Sequence, residues 1–338
     1  MKTWQIDRFG IDALRLADAA LPQPARGEVL VRWRAFSLNY RDLVIVEGSY
    51  LPQLPMPFVP LSDGAGEIVA VGDGVTDWQI GDRVVGHYVQ SWQSGRATPE
   101  SLRLALASAA LPGVAREFSV LPAHGIVRLP AHLSFEEGAT LPIAAVTAWN
   151  ALFAPRDLLP GATVVLEGTG GVSLFGLQLA HAAGLRTIIT SSSDEKLARA
   201  RSLGADATVN YRTTPEWSRR VREFTDGRGA DLALEVGGPA TFAEAARSVR
   251  LGGRIAIIGF LSGHTLPVDA LSLIGNLTTV HGLRVGSRAD FIALNCALEH
   301  HAIHPTIDRV FPFEELPEAF ARLSRGEHFG KIVIRGVP

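Results

Sequence analysis

Cysteine is almost missing from this chain. Its 338 residues include one, Cys296. A single cysteine closes no intrachain disulfide and builds no cysteine-rich zinc site. It lies in FIALNCALEH at helical spacing, which reads as a buried packing cysteine rather than a nucleophile. Net charge is also small, −2, with 20% of residues charged. No run of Lys or Arg offsets this, so nucleic acid and anionic membrane are not indicated as partners. No stretch reaches the roughly 18 uninterrupted apolar residues of a membrane span. The start, MKTWQIDRFGIDAL, lacks the long apolar core of a signal peptide, and a cytoplasmic location is the default expectation. There is no internal repeat and no low-complexity tract.

What is present is a soluble globular composition, 47% hydrophobic, at a length that suits two domains better than one. Residues 1 to about 120 read as β-rich. GEVLVRWRAFSLN and GAGEIVAVG are β-branched runs punctuated by Gly and Pro. Residues 90–113 read as a polar excursion with one short helix. After about residue 123 strands and helices alternate. Strands are expected at 163–167, 187–190, 208–210, 231–236 and 254–259. Helices are expected at 172–183, 194–203 with Gly204 as C-cap, 215–224, 240–249 and 289–299. HHAIH, 300–304, reads as an exposed helix end stopped by Pro305. KIVIRG near the end reads as a strand. The alternation predicts an α/β fold with a parallel, doubly wound sheet.

LEGTGGVSLFGLQLAHAAG, 166–184, runs from a strand end through a glycine turn into an amphipathic helix. Gly168, Gly170 and Gly171 lack Cβ, so the backbone can come close to a phosphate at the helix N-terminus. Ser173 replaces the third glycine of GxGxxG. The strand–turn–helix context makes this a dinucleotide site. No carboxylate stands about 20 residues on, where an NAD site places one for the ribose. TSSSDEK stands there instead. Ser191, Ser192 and Lys196, with Tyr211 and Arg212 after the next strand, suit a 2′-phosphate. NADP(H) is therefore expected over NAD(H). Asp194 and Glu195 read as the first turn of a helix, with Ser192-x-x-Glu195 as its capping box.

SLNYRDL, PLSDGAGEIVAVGDGV, GDRVVG, LPIAAVTAWNAL, GTGGVSLFGLQLA and LALEVGG, in this order, resemble the medium-chain dehydrogenase/reductase superfamily. The nearest resemblance is to its zinc-free, quinone-oxidoreductase-like members. This implies a GroES-like β-rich catalytic domain (1–122 with 305–338) and a Rossmann dinucleotide-binding domain (123–304). It also implies a homodimer through the Rossmann sheet edge, for which the apolar LSLIGNLTTVHGL could serve.

Zinc-dependent members carry Cys where Asn39 stands, His where Ser62 stands, and Cys where Ile143 stands. Asn, Ser and Ile do not form the shell zinc needs, and the four-cysteine structural zinc lobe is absent. No histidines pair at HExxH spacing, so no metal is expected. Without a Lewis acid to stabilise an alkoxide, hydride transfer to an α,β-unsaturated carbonyl or a quinone is the easier chemistry.

By resemblance, Asn39 lines the nicotinamide pocket, Asp42 orients a neighbour, and Tyr50 donates a hydrogen bond or proton to the substrate. Tyrosine is ordinarily protonated at neutral pH. Thr147 lies near the nicotinamide. Each has a plainer reading: Asn39 and Asp42 as turn residues, Tyr50 as a packing aromatic with Tyr40 as the alternative phenol, and Thr147 as core. Trp149 reads as core. The expected cofactor contacts are Gly168, Thr169, Gly170, Gly171 and Val172 in the turn, then Ser191, Ser192, Lys196 and Tyr211. Val236 and Gly237, Gly259 and Phe260, Leu283 and Val285, and finally Phe329 and Lys331 complete the set. The leading reading is an NADPH-dependent enone or quinone reductase. The alternatives are a zinc-free alcohol/aldehyde oxidoreductase and a nucleotide-binding redox sensor or structural protein with little turnover.

Overall fold

The computed structural model describes residues 1–337. It forms two compact units, Met1–Val146 with the segment from Gly286 onward, and Thr147–Val285. These bounds differ from the divisions near 122 and 304 read from the sequence. Strand pairing and helix contacts, described below, place residues 123–146 and 286–304 with the first unit.

In the first unit, β1 (Lys2–Gln5) and β2 (Arg15–Asp18) form a small antiparallel pair. β3 (Glu28–Ser37) leads into the short helix α1 (Tyr40–Val46), followed by β4 (Asp63–Val71), β5 (Arg83–Gly86), β6 (Phe118–Pro122) and β7 (Ile126–Arg128). β3 is the centre of this sheet, paired antiparallel with β4 and β6. Its pairing with β4 shifts register twice, and at Gly66 an added Cβ would stand 2.1 Å from the Arg32 carbonyl oxygen. Only glycine lets the two backbones approach there. β7 pairs with β5, which carries residues beyond 122 into this unit. The helical turn α2 (Phe135–Gly138) and a π-helical stretch, Leu141–Ala145, follow.

Residues 90–113 contain no helix. They hold turns and a single bridge between Val89 and Ala105, which corrects the expected short helix. Side chains there cap their own backbone: Ser101 Oγ accepts from Thr98 N, and Thr98 Oγ1 accepts from Ser101 N. Such local bonds compete with helix formation.

The second unit holds α3 (Val146–Phe153, entering from the boundary), β8 (Thr163–Glu167), α4 (Gly171–Ala182), β9 (Arg186–Ser191), α5 (Asp194–Ser202), β10 (Ala207–Asn210) and α6 (Trp217–Phe224). It continues through β11 (Ala230–Glu235), α7 (Phe242–Ser248), β12 (Val249–Ile257), α8 (Ala270–Gly275) and β13 (Thr279–Gly282). The six strands pair in parallel in the order β10-β9-β8-β11-β12-β13. Chain direction across the sheet reverses between β8 and β11, where doubly wound sheets bind dinucleotides. Every residue of β8 and β11 is buried, as expected of strands covered on both faces. One layer of the core gathers Val165, Ile188, Trp217, Phe242 and Ile255. β13 is an edge strand. Just before it, Leu271 (82% exposed), Ile274 and Leu277 stand in solvent.

The chain then returns to the first unit through α9 (Arg288–His300), β14 (Ile307–Phe311), α10 (Leu316–Ser324) and β15 (Lys331–Arg335). Arg288 N donates to the Trp92 carbonyl and Asn295 Nδ2 to the Arg128 carbonyl, which anchors α9 there. β15 pairs antiparallel with β3 and parallel with β14. α9 stops at His300, several residues before Pro305, because the backbone turns at Ala302 (φ 49°). No helix among the described residues is long and apolar enough to cross a membrane.

Candidate active site

The glycine turn sits at the reversal point of the parallel sheet. Gly168 has φ +69°, a conformation that disfavours other residues, and Gly170 is the N-cap of α4. A Cβ at either position would meet nothing within 4 Å, so the turn faces open space. The first-turn N–H groups of a helix have no partner within it. Thr169, Gly171 and Val172 complete this cradle. Ser173 Oγ donates to the Glu167 carbonyl oxygen at 2.5 Å and draws α4 against the end of β8. The cradle therefore fits a pyrophosphate.

Beside it lie the ends of β9 and β10. Tyr211 N donates to the Ser191 carbonyl oxygen at 3.1 Å, which brings Ser191 and Tyr211 together. The N-cap of α5 is Ser193, not Ser192: Ser193 Oγ accepts from Lys196 N at 3.3 Å. In the run SSS the chain leaves the strand one residue later than expected. Ser192 thus stays outside the helix, and Asp194 accepts from Asn210 Nδ2 at 2.8 Å.

Across the reversal point, Glu167 Oε2 accepts from Val236 N and Gly237 N, both at 3.3 Å. Glu235 Oε1 accepts from Gly238 N at 2.7 Å and from Thr241 Oγ1 at 2.9 Å. The residues before these two glutamates, Leu166 and Leu234, are register partners in the sheet. Burial, with the neighbouring Glu235 charge, pushes the Glu167 carboxyl well above its ordinary value. The sequence reading did not pair these acids. The only local signal was a glutamate closing the apolar strand TVVLE.

Further along, Gly259 N and Ile258 N donate to the Glu235 carbonyl, and Leu283 N donates to the Ile257 carbonyl. The stretches holding Gly259, Phe260, Leu283 and Val285 thus follow strand ends on the same side of the sheet as the glycine turn. Asn150 Nδ2 donates to the Val285 carbonyl at 2.6 Å. Thr147 is buried, and its hydroxyl has no hydrogen-bond partner among the described residues. Trp149 is half-buried and rests on Phe153, ring centroids 4.7 Å apart, so it is not a full core residue.

In the first unit a polar cluster forms around the start of α1. Asn39 is the N-cap, and its N–H donates to Asp42 Oδ2 at 2.9 Å. Asn39 Nδ2 donates to Asp63 Oδ2 at 2.9 Å and to Asp42 Oδ2 at 3.3 Å. Lys331 Nζ donates to Asn39 Oδ1 and to the Leu38 carbonyl oxygen, each at 2.7 Å, and lies 3.8 Å from Asp63 Oδ2. The Asn39 amide is thus engaged on both sides. Ser62 Oγ donates to Asp42 Oδ1 at 2.8 Å, and Arg41 Nη1 donates to Ser62 Oγ at 2.7 Å. Burial lifts the Asp63 carboxyl to about 7, against the pull of Lys331. Burial also lowers Lys331, against Asp63 and Asp42.

Tyr50 is 42% exposed, and the Arg41 guanidinium lies 5.8 Å from its ring centroid. Phe329 is buried, with its N–H donating to Asp308 Oδ1 at 3.1 Å. Cys296 is exposed rather than packed in a core, because α9 turns Phe291, Leu294 and Leu298 inward and position 296 outward.

The residues at the three metal-ligand positions of zinc members do not fit zinc. Ser62 already bridges Arg41 and Asp42, Ile143 offers hydrocarbon, and the oxygen of Asn39 holds an ammonium. Among the described residues no group of three or more His, Cys, Asp or Glu could hold a metal ion.

A β-rich unit completed by the last segment, with a doubly wound unit bearing a glycine cradle, defines an alcohol-dehydrogenase-like oxidoreductase architecture. Comparisons with known proteins agree. Residues 171–299 match the family Zinc-binding dehydrogenase, and residues 25–131 match the Alcohol dehydrogenase GroES-like domain. A zinc-type alcohol dehydrogenase-like protein of Schizosaccharomyces pombe is 42% identical, with 96% of each chain covered. A solved NAD-dependent alcohol dehydrogenase is 32% identical, with a TM-score of 0.90 over 100% of both chains. A mycobacterial protein solved in complex with NADPH is 26% identical, with a TM-score of 0.82 over 99% of each chain. The chain belongs to the medium-chain dehydrogenase/reductase superfamily.

Proposed function

We propose that this protein is an NADP(H)-dependent oxidoreductase that reduces an α,β-unsaturated carbonyl or a quinone without a catalytic metal. The observation that carries this reading is the first-unit cluster: an asparagine, a serine and an isoleucine stand at the zinc-ligand positions, and an ammonium lies against the asparagine. A site without a Lewis acid favours acceptors that need only a positioned hydride, a hydrogen bond to oxygen and a proton.

NADPH supplies the hydride when bound. The cradle at Gly168–Gly171 holds its pyrophosphate, and Ser191, Ser192, Lys196 and Tyr211 receive the 2′-phosphate. Val236, Gly237, Gly259, Phe260, Leu283 and Val285 would contact the bound cofactor, and the Thr147 hydroxyl, without a partner among the described residues, would be available to its nicotinamide. Tyr50 gives the proton to the reduced substrate. Asn39 and Asp42 fix the start of α1 from within the cluster. Lys331 holds Asn39. A homodimer forms through the β13 edge, where Leu271, Ile274 and Leu277 offer apolar surface.

Titration calorimetry with NADPH and with NADH tests the cofactor. About tenfold or greater preference for NADPH is expected. Preference for NADH overturns the 2′-phosphate assignment. A second reading, alcohol or aldehyde oxidoreduction, is favoured by the alcohol dehydrogenase names of the relatives. Turnover on alcohols, and none on enones or quinones, would select it.

A further inference from the structure

We propose that Lys331 is a resident cation that takes the place of a metal ion among Asn39, Asp63 and the Leu38 carbonyl and keeps that place closed to divalent metal. The inference rests on the metal-free reading above. Its test reads metal uptake and folding, so it stands or falls apart from any turnover.

Lys331 is only 3% exposed. Burying an ammonium is costly unless it is paired and hydrogen-bonded. Its polar partners are oxygens: the Leu38 carbonyl and Asn39 Oδ1 at 2.7 Å, and Asp63 Oδ2 at 3.8 Å. Asp63 is fully buried, and its other oxygen, Oδ1, has no hydrogen-bond partner among the described residues. Asp42, also buried, shares the Asn39 amide with Asp63. Two buried carboxylates thus share one amide, whose oxygen takes the buried ammonium. The Arg41 guanidinium reaches the pair only through Ser62.

β15 sets this arrangement. Its antiparallel pairing with the end of β3, continued by the Leu38 N–H to Ile332 carbonyl bond, delivers the lysine beside Asn39. Two of the zinc-ligand positions adjoin the same carboxylate: Asn39 donates to Asp63, and Ser62 precedes it in the chain. With the ammonium removed, what remains is a carboxylate, an amide oxygen and a carbonyl oxygen. These are hard donors that suit Mn²⁺ or Mg²⁺. An ordinary buried ion pair needs no such vacancy for metal, and that difference is measurable.

Mn²⁺ is the probe. Wild type, Lys331→Ala and Lys331→Ala/Asp63→Asn are stripped with chelator and titrated with Mn²⁺ by calorimetry, with free Mn²⁺ counted by electron paramagnetic resonance. Lys331→Ala is expected to take up about one equivalent and to gain thermal stability with added Mn²⁺. Wild type and the double variant are expected to do neither. The proposal is overturned if wild type binds a stoichiometric equivalent, or if folded Lys331→Ala binds none. If Lys331→Ala does not fold in chelator, refolding in Mn²⁺ is expected to rescue it, and Asp63→Asn in the same chain to stabilise it by removing the unpaired charge. Failure of both overturns the proposal.

Discussion

Ser173 Oγ donates a 2.5 Å hydrogen bond to the carbonyl oxygen of Glu167, six residues earlier, and so fastens α4 to the end of β8 directly under the glycine turn. The serine does more than tolerate the place of a glycine. Its hydroxyl takes up a carbonyl at the end of a buried strand. Ser173→Ala keeps the helix and removes that bond to the buried end of the strand. A loss of about 1–3 kcal/mol is expected, read as a lower midpoint in urea unfolding. An unchanged midpoint contradicts the assigned bond.

The parallel sheet is legible in the sequence because its strands are short apolar runs between helices of plain periodicity. The cradle is legible because a strand, a glycine turn and a helix follow one another without interruption. Contacts made across the chain are not legible in this way. Lys331 meets Asn39 at a separation of 292 residues, and Glu167 meets Val236 at 69. No local pattern encodes either contact. Cys296 illustrates a finer limit: helical spacing shows that a helix exists, but its buried face depends on what packs against it. Three consecutive serines leave the cap at Ser193 undecided until the end of β9 is known. The polar 90–113 stretch has helix-compatible residues, yet its Ser and Thr side chains spend their bonds on local turns.

Tyr50→Phe removes one hydroxyl from a half-exposed ring, so the unfolding free energy is expected to stay within about 0.5 kcal/mol of wild type. If the phenol delivers the proton, kcat for an enone falls by roughly 10²-fold or more, with little change in KM. Stopped-flow and steady-state rates at several pH values measure the split. Equal rates remove Tyr50 from the proton step.

Glu167 gives a pH signature. Burial and the nearby Glu235 raise its folded-state value above that of the unfolded chain. The stability contributed by the protonated form is therefore complete below about pH 4 and is lost as pH rises through the raised value. Glu167→Gln keeps a neutral side chain with an oxygen for the Val236 and Gly237 N–H groups. It is expected to match wild type at the acid end and to exceed it by about 1 kcal/mol or more at pH 8. Urea unfolding across that range decides, and a difference that shrinks with rising pH contradicts the account.

The proposed 2′-phosphate assignment makes a cofactor-specific prediction. If Ser191, Ser192, Lys196 and Tyr211 receive a 2′-phosphate, Lys196→Ala is expected to weaken NADPH binding by roughly 1–2 kcal/mol while leaving NADH binding nearly unchanged. Calorimetry on both cofactors measures the difference. Equal losses for the two place the lysine elsewhere.

The central claim is reduction without a catalytic metal, and the direct measurement is NADPH oxidation by chelator-stripped, metal-assayed protein offered an enone and a quinone. Turnover that is the same before stripping, after stripping and after zinc is added back is the predicted result. Activity that disappears on stripping and returns only with zinc contradicts it.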